Sequence, residues 1–164
     1  MKFVSIIIGS KSDYAIMKSC SETLDKFGVI HELIISSAHR SPERTKNYIK
    51  VAEEKGAQVF IAAAGMAAHL AGALAGITTK PVIGVPMASG ELKGEDALLS
   101  TVMMPAGMPV GTVAIGKAGA INSAYLAIQI LALNDDELRI KLQEDRISKA
   151  KKVELDSSQI EVIL

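Results

Sequence analysis

Three short stretches of this chain hold the residue types from which chemistry is built. The first is Ser36-Ser37-Ala38-His39-Arg40-Ser41-Pro42, directly after the apolar run Leu33-Ile34-Ile35. A histidine titrates nearest neutrality of all side chains, so His39 could carry a proton in either direction. Arg40 offers a planar, permanently charged fork for a phosphate or carboxylate. Ser41 and Pro42 have a structural explanation, because a serine before proline at the first helical position is a good helix start. Capping requires neither His39 nor Arg40, and a cation at a helix N-terminus opposes the macrodipole unless an anion sits there. A lone histidine in a polar loop can equally be solvated surface, and this loop alone leaves both readings open.

The second stretch is Gly9-Ser10-Lys11-Ser12-Asp13. Gly9 permits close backbone approach, the serines supply hydroxyls, and free N–H groups at a helix start favour an anion. The plainer alternative is that Ser12 or Asp13 caps the helix that follows. The glycine spacing is that of neither a Walker loop nor a dinucleotide fingerprint. The third stretch, Ala64-Gly65-Met66-Ala67-Ala68-His69-Leu70-Ala71-Gly72, places His69 inside an Ala-rich helix, as a buried structural hydrogen bonder or as part of a site. His31, beside Glu32 at a strand start, reads as surface. The three histidines lack metal-ligand spacing, so no metal is expected.

These stretches need a scaffold that presents them together. Short apolar runs alternate with segments of helical spacing: strand 3–8, helix 13–27 stopped by Gly28, strand 30–35, helix 42–55 stopped by Gly56. Strand 59–64, helix 67–75, strand 81–85, strand 112–115, helix 118–133 and a charged helix from Asp135-Asp136 to about Lys152 follow. Repeated strand-then-helix units with nearly continuous apolar strands predict a three-layer αβα sandwich around a parallel sheet, of flavodoxin-like or Rossmann-like topology. In such sheets ligands bind beyond the carboxyl ends of the strands, where all three polar loops fall. The reading is of one catalytic domain over residues 1–152, with 153–164 a tail that frays or docks on a neighbouring subunit.

Composition narrows the function classes. With 18 basic and 18 acidic residues, bulk charge points to neither a nucleic-acid nor a membrane partner. The single cysteine, Cys20, rules out an internal disulfide and reads as a reduced thiol of a cytoplasmic protein. Residues 56–79 and 97–116 contain no Asp, Glu, Lys or Arg. Thirteen of the 24 residues in the first segment are Ala or Gly, too little transfer free energy for a membrane span. One domain of this size has too little interior to hide both segments, which predicts a homo-oligomer whose subunit contacts cover them.

Taken in order, GSKSD, SAHRSPE, AAAGMAAHLAG, PVIGVPM, MPAGMPVGTVAIGKAGAINSA and QILAL resemble the PurE family. The resemblance is to its class I members, the N5-carboxyaminoimidazole ribonucleotide mutases of purine biosynthesis, and covers about residues 3–150. It implies a compact homo-octamer and movement of a carboxylate from the exocyclic nitrogen of an aminoimidazole ribonucleotide to ring carbon 4. No cofactor or metal is implied, and the partner enzyme is an ATP-dependent carboxylating synthetase. The implied catalytic acid–base is His39, and the implied substrate-binding positions are Ser10, Ser12, Asp13, Ser37, Arg40, Gly65, His69 and Leu70. The family's usual third loop has glycine where this chain has Ala63 and Met66, and proline where it has Ala71. Arg40 after the histidine and the run Ala67-Ala68-His69-Leu70 favour the mutase over the animal-type class, which carboxylates the uncarboxylated ribonucleotide directly with CO2. A non-catalytic nucleotide- or flavin-binding module is the remaining alternative, although three Phe, three Tyr and no Trp leave few rings to stack a flavin.

Overall fold

The computed structural model describes residues 2–163. The chain divides into two compact units, Met1–Ile128 and Gln129–Leu164. In the first unit, β1 (Phe3–Ile8), β2 (His31–Ile35), β3 (Ala57–Gly65), β4 (Val82–Met87) and β5 (Gly111–Thr112) form one parallel sheet in the order β2-β1-β3-β4-β5. That is the doubly wound flavodoxin-like order, whose topological switch point lies between β1 and β3. The helices are α1 (Tyr14–Phe27), α2 (Pro42–Lys55), α3 (Leu70–Ala75), α4 (Glu95–Val102) and α5 (Lys117–Ala132), the last running across the unit boundary.

All six residues of β1 are buried, which is why its sequence is a continuous apolar run rather than an alternating one. Phe3 and Ile7 join Phe60, Ala62 and Val82 under Ile49 and Ala52 of α2 and Leu70, Ala71 and Leu74 of α3. Strand alternation sends Val4, Ile6 and Ile8 to the opposite face, where each is also fully buried. Each such isoleucine contributes about 1.5–3 kcal/mol on burial. The one polar residue of β1, Ser5, donates to the Tyr48 hydroxyl (2.9 Å), which donates to Glu32 Oε2 (3.0 Å). Burial pushes the Tyr48 phenol up to about 12, so this chain of hydrogen bonds stays in one protonation state across the working range. Gly28 and Gly56 end α1 and α2 in the left-handed conformation (φ 73° and 111°), as C-caps should.

On α1, Cys20 is fully buried and accepts from the Ser123 hydroxyl of α5 at 3.5 Å. Burial raises its thiol to about 11, which keeps it protonated and inert. His31 departs from the surface reading. Its side chain is only 12% exposed, with Nε2 against the Ser21 hydroxyl and Nδ1 donating to the Val29 carbonyl at 3.1 Å.

Several boundaries differ from the sequence reading, each for a visible reason. Residues 11–13 form a separate 3₁₀ turn before α1. Helix α3 begins at Leu70, because Ala67–His69 still belong to the bend out of β3, so His69 is an N-cap rather than an interior residue. Strand β5 pairs only at Gly111 and Thr112 before the chain leaves the sheet. Helix α4 was not foreseen, since it begins in a charged turn and ends inside the charge-free stretch. The charge-free segments also part company. Residues 57–63 and the Leu70, Ala71 and Leu74 face of α3 are covered within the chain itself, whereas Leu99, Val102, Met103 and Met108 of the second segment remain exposed.

The second unit begins in the last turn of α5 and consists mainly of α6 (Asp136–Ser158), opened by Asp135, whose carboxylate accepts from the Leu138 N–H at 3.1 Å. The helix therefore continues past Lys152 into the expected tail. Ile160, Val162 and Ile163 are exposed, and Leu164 lies outside the described residues. Among the described residues no helix is long and apolar enough to cross a membrane.

Candidate functional site

The loop after β1 continues its ladder for one residue, with Gly9 N–H donating to Ala63 O at 2.9 Å, and then turns. Ser10 caps the 3₁₀ turn, in place of Ser12 or Asp13. Its Oγ accepts from Ser12 N–H (3.4 Å) and from the Ser12 hydroxyl (3.0 Å), while Asp13 Oδ2 accepts from Ser10 N–H (3.1 Å). This reciprocal capping box fixes the loop. It also leaves the Ser10 hydroxyl hydrogen free to point at an anion. Asp13 is 7% exposed, and burial raises its carboxyl above the usual carboxylate range, partly offset by the Ser10 N–H.

That burial has a measurable consequence. A carboxyl whose pKa is higher in the folded chain than in the unfolded one makes the native state the better proton binder. Stability then falls as pH rises through its titration, and the ionised group costs stability at neutral pH. Asp13→Asn keeps an acceptor for Ser10 N–H without the charge. Its melting temperature at pH 7 is expected to be no lower than that of the wild type. A drop of several degrees would show that the charge itself holds the loop.

The loop after β2 is tied down by its serines. Ser36 and Thr45, both buried, share a hydroxyl contact of 2.7 Å. Ser41 stands at the N-cap of α2, but its side chain does not cap the helix. Instead its Oγ accepts from Ser37 N–H (3.0 Å) and donates to Ser37 O (3.1 Å), while Arg40 N–H donates to Ser37 Oγ (3.0 Å). The turn closes on Ser37, so His39 and Arg40 are presented outward from a fixed backbone.

The loop after β3 brings His69 to His39. His39 Nε2 and His69 Nδ1 are 2.6 Å apart, with ring planes at 89°. Two ring nitrogens at that distance need one proton between them, since two lone pairs or two N–H groups facing each other repel. The pair thus forms a proton-sharing unit from residues 30 apart in sequence. Gly65 in the same loop lies directly beneath Ser89, since a Cβ there would lie 1.9 Å from Ser89 Oγ and could enter only if that side chain turned away. Met66 takes the left-handed conformation (φ 56°), a strained one for a residue with a side chain. This is the position where the resemblance expects glycine. Ala63, by contrast, is buried in β3, and Ala71 lies in the first turn of α3, so neither alters the pocket wall.

These loops surround a cavity of about 520 Å³ at the carboxyl end of the sheet. Ser10, Ser12, Asp13, Ser37, His39, Arg40, Gly65, His69 and Leu70 all line it. So do Gly9, Ala38, Ala64, Met66, Ala67 and Ser89, which the sequence reading left out of the binding set. Ser89 was open to discovery, since it follows the carboxyl end of a fourth strand, β4. Among the described residues no three His, Cys, Asp or Glu side chains gather as a metal site.

Comparison with known proteins agrees with this arrangement. Residues 3–152 match the family model described as AIR carboxylase. The chain is 49% identical over 150 residues to the N5-carboxyaminoimidazole ribonucleotide mutase of Escherichia coli K12, covering 92% of this chain and 89% of the relative. It is 50% identical over 155 residues to the enzyme of the same name from Bacillus subtilis, covering 94% and 95%. The crystal structure of Treponema denticola PurE superposes with a TM-score of 0.89 at 27% identity, over 99% of this chain and all of that one. A parallel sheet of order β2-β1-β3-β4-β5, a strand-end cavity holding a histidine pair and an arginine, and a family match over nearly the whole chain lead to one conclusion: this protein belongs to the AIR carboxylase family.

Proposed function

We propose that the protein converts N5-carboxyaminoimidazole ribonucleotide to 4-carboxy-5-aminoimidazole ribonucleotide in purine biosynthesis. The observation that carries this reading is the His39–His69 contact inside the cavity that also holds Arg40. The family model is described as a carboxylase, whereas the relatives at about half identity over almost their whole length are named mutases, which favours the mutase.

Arg40, the Ser10–Ser12 hydroxyls and the N–H groups of the first turn suit the 5′-phosphate, and the Asp13 carboxylate suits the ribose hydroxyls. Ser37 already accepts from Arg40 N–H and retains its own hydrogen for the ligand. Cleavage of the nitrogen–carboxylate bond releases CO2 and requires a proton at the nitrogen. Carbon 4 then attacks the CO2, forms the new carbon–carbon bond and loses its hydrogen as a proton. The two transfers cancel, so one imidazole can donate and then recover the same proton. His39 performs both, and His69 holds its ring and shares the proton. Gly65, Met66 and Leu70 form an apolar wall that keeps CO2 beside the ring and water away.

The substrate's nitrogen-bound carboxylate is the product of an ATP-driven carboxylation, so the enzyme works in the cytoplasm beside a synthetase of that class. We further propose a homo-octamer, supported by the exposed apolar residues Leu92, Leu99, Val102, Met103 and Met108. Light scattering should return the mass of an octamer of 17.3 kDa chains, and a monomer at micromolar concentration would refute it.

The function is tested by supplying each candidate substrate separately. Turnover of the N5-carboxylated ribonucleotide at low bicarbonate is expected. Reaction of only the uncarboxylated ribonucleotide with concentrated CO2 would instead assign a direct carboxylase.

A further inference from the structure

We propose that Ser89 is an additional substrate-binding residue, whose hydroxyl holds the migrating carboxylate at the end of the cavity away from Arg40. The proposal rests on the mutase reading and deepens it.

The strand order sets the geometry. Arg40 follows β2, the Ser10–Asp13 turn follows β1, Gly65 and His69 follow β3, and Ser89 follows β4. Crossing the sheet from β2 to β4, the cavity wall thus passes from a cation, through a capped turn, to Ser89. A nucleotide with its phosphate at the first two loops extends its base toward β3 and β4. The last side chain it meets is Ser89.

Three features place Ser89 at the cavity. Ser89 N–H donates to Met87 O at 3.0 Å, closing a tight turn directly off β4. Ser89 Oγ lies so close over Gly65 that no β-carbon fits between them. The next residue, Gly90, is covered by the Met66 side chain, whose Cγ would be 3.4 Å from a Cβ at that position. Met66 thus keeps a strained backbone conformation while bridging the third and fourth loops. Among the described residues the Ser89 hydroxyl has no hydrogen-bond partner, although it lines the cavity. A hydroxyl without a partner there has its hydrogen available for a ligand. The ligand group carrying negative charge at that end is the carboxylate, first on nitrogen and then on carbon 4. A hydrogen bond to a charged group is among the stronger ones.

The test is Ser89→Ala, which removes the hydroxyl and leaves the backbone turn. Affinity for the carboxylated product should fall about 10-fold, while affinity for the uncarboxylated ribonucleotide stays within twofold of wild type. During turnover of the N5-carboxylated substrate, a larger fraction should escape as uncarboxylated ribonucleotide plus CO2. Equal loss of affinity for both ligands would mean that Ser89 only shapes the loop, and unchanged product affinity would mean that it touches no carboxylate; either result overturns the proposal. Failure of the wild type to turn over the N5-carboxylated substrate would instead refute the mutase reading. The product-versus-uncarboxylated binding comparison keeps the two failures separate.

Discussion

Replacing His39 by Asn should lower the turnover number by about 10²–10⁴-fold while the fold and ribonucleotide binding survive. The amide reaches only the position of the imidazole Nδ1, so the contact to His69 Nδ1 is lost, while the loop backbone stays pinned by Ser37 and Ser41. The amide has no titratable nitrogen, so it can neither donate a proton to the leaving nitrogen nor accept one from carbon 4. The side chain is exposed at the cavity, so no core packing is lost with it. Calorimetric binding of the uncarboxylated ribonucleotide should remain near wild type, because the proposed phosphate and ribose contacts are assigned to other residues. Activity within tenfold of wild type would move the proton chemistry elsewhere, with His69 as the first candidate.

The largest expected effect on stability is at Gly119, in the first turn of α5. On helix propensity alone, Gly→Ala there should stabilise by about 1 kcal/mol. The structure reverses the sign. A Cβ at Gly119 would lie 1.6 Å from the Ala114 carbonyl oxygen and 2.7 Å from its carbon. Backbone cannot rotate out of the way as a side chain can, so α5 must lift from the segment after β5. Overpacking typically costs about 1–3 kcal/mol, and a backbone obstacle puts this case at the upper end. For a chain of this length that corresponds to a melting temperature roughly 6–12 °C lower. Gly111→Ala is the control: its nearest neighbours lie at 3.7 Å, and little change is expected. A Gly119→Ala protein as stable as wild type would mean that the helix start moves freely.

The sheet was legible because its central strands β1, β3 and β4 are buried on both faces, which writes them as nearly unbroken apolar runs. Phe3–Ile8 and the Ala-rich β3 could hardly be anything else. Helix ends were legible where glycine marks them, at Gly28 and Gly56. The start of α3 was not, because alanines fit a bend and a helix equally well. Nor was α4, which straddles a change in composition. That residues 57–63 of the first charge-free segment are covered within the chain was not legible, because sequence does not say which strand is central. β3 lies between β1 and β4, and its Phe60 and Ala62 pack against α2 and α3.

The candidate site was legible to the extent that each residue had no competing structural duty. His39 and Arg40 stood out because a helix start explains Ser41 and Pro42 but not them. Even so, Ser41 turned out to bind Ser37 rather than cap α2, a choice that depends on a rotamer no sequence records. The His39–His69 pairing spans the switch point of the sheet and exists only once β2 and β3 flank β1. Ser89 was missed because its loop carries no charge and no histidine. Its one sequence signal was its place just after the carboxyl end of β4, and the fold closes that loop over the same cavity.

The central claim is that the carboxylate moves within one bound nucleotide, through CO2 that His39 and the pocket wall retain. The most direct measurement follows its carbon. The N5-carboxylated ribonucleotide, labelled with ¹³C in the carboxyl group, is turned over in unlabelled bicarbonate, and the product is read by carbon NMR. Retention of most of the label in the carbon-4 carboxylate is the predicted result. Product carrying unlabelled carbon in proportion to the bicarbonate pool would contradict it.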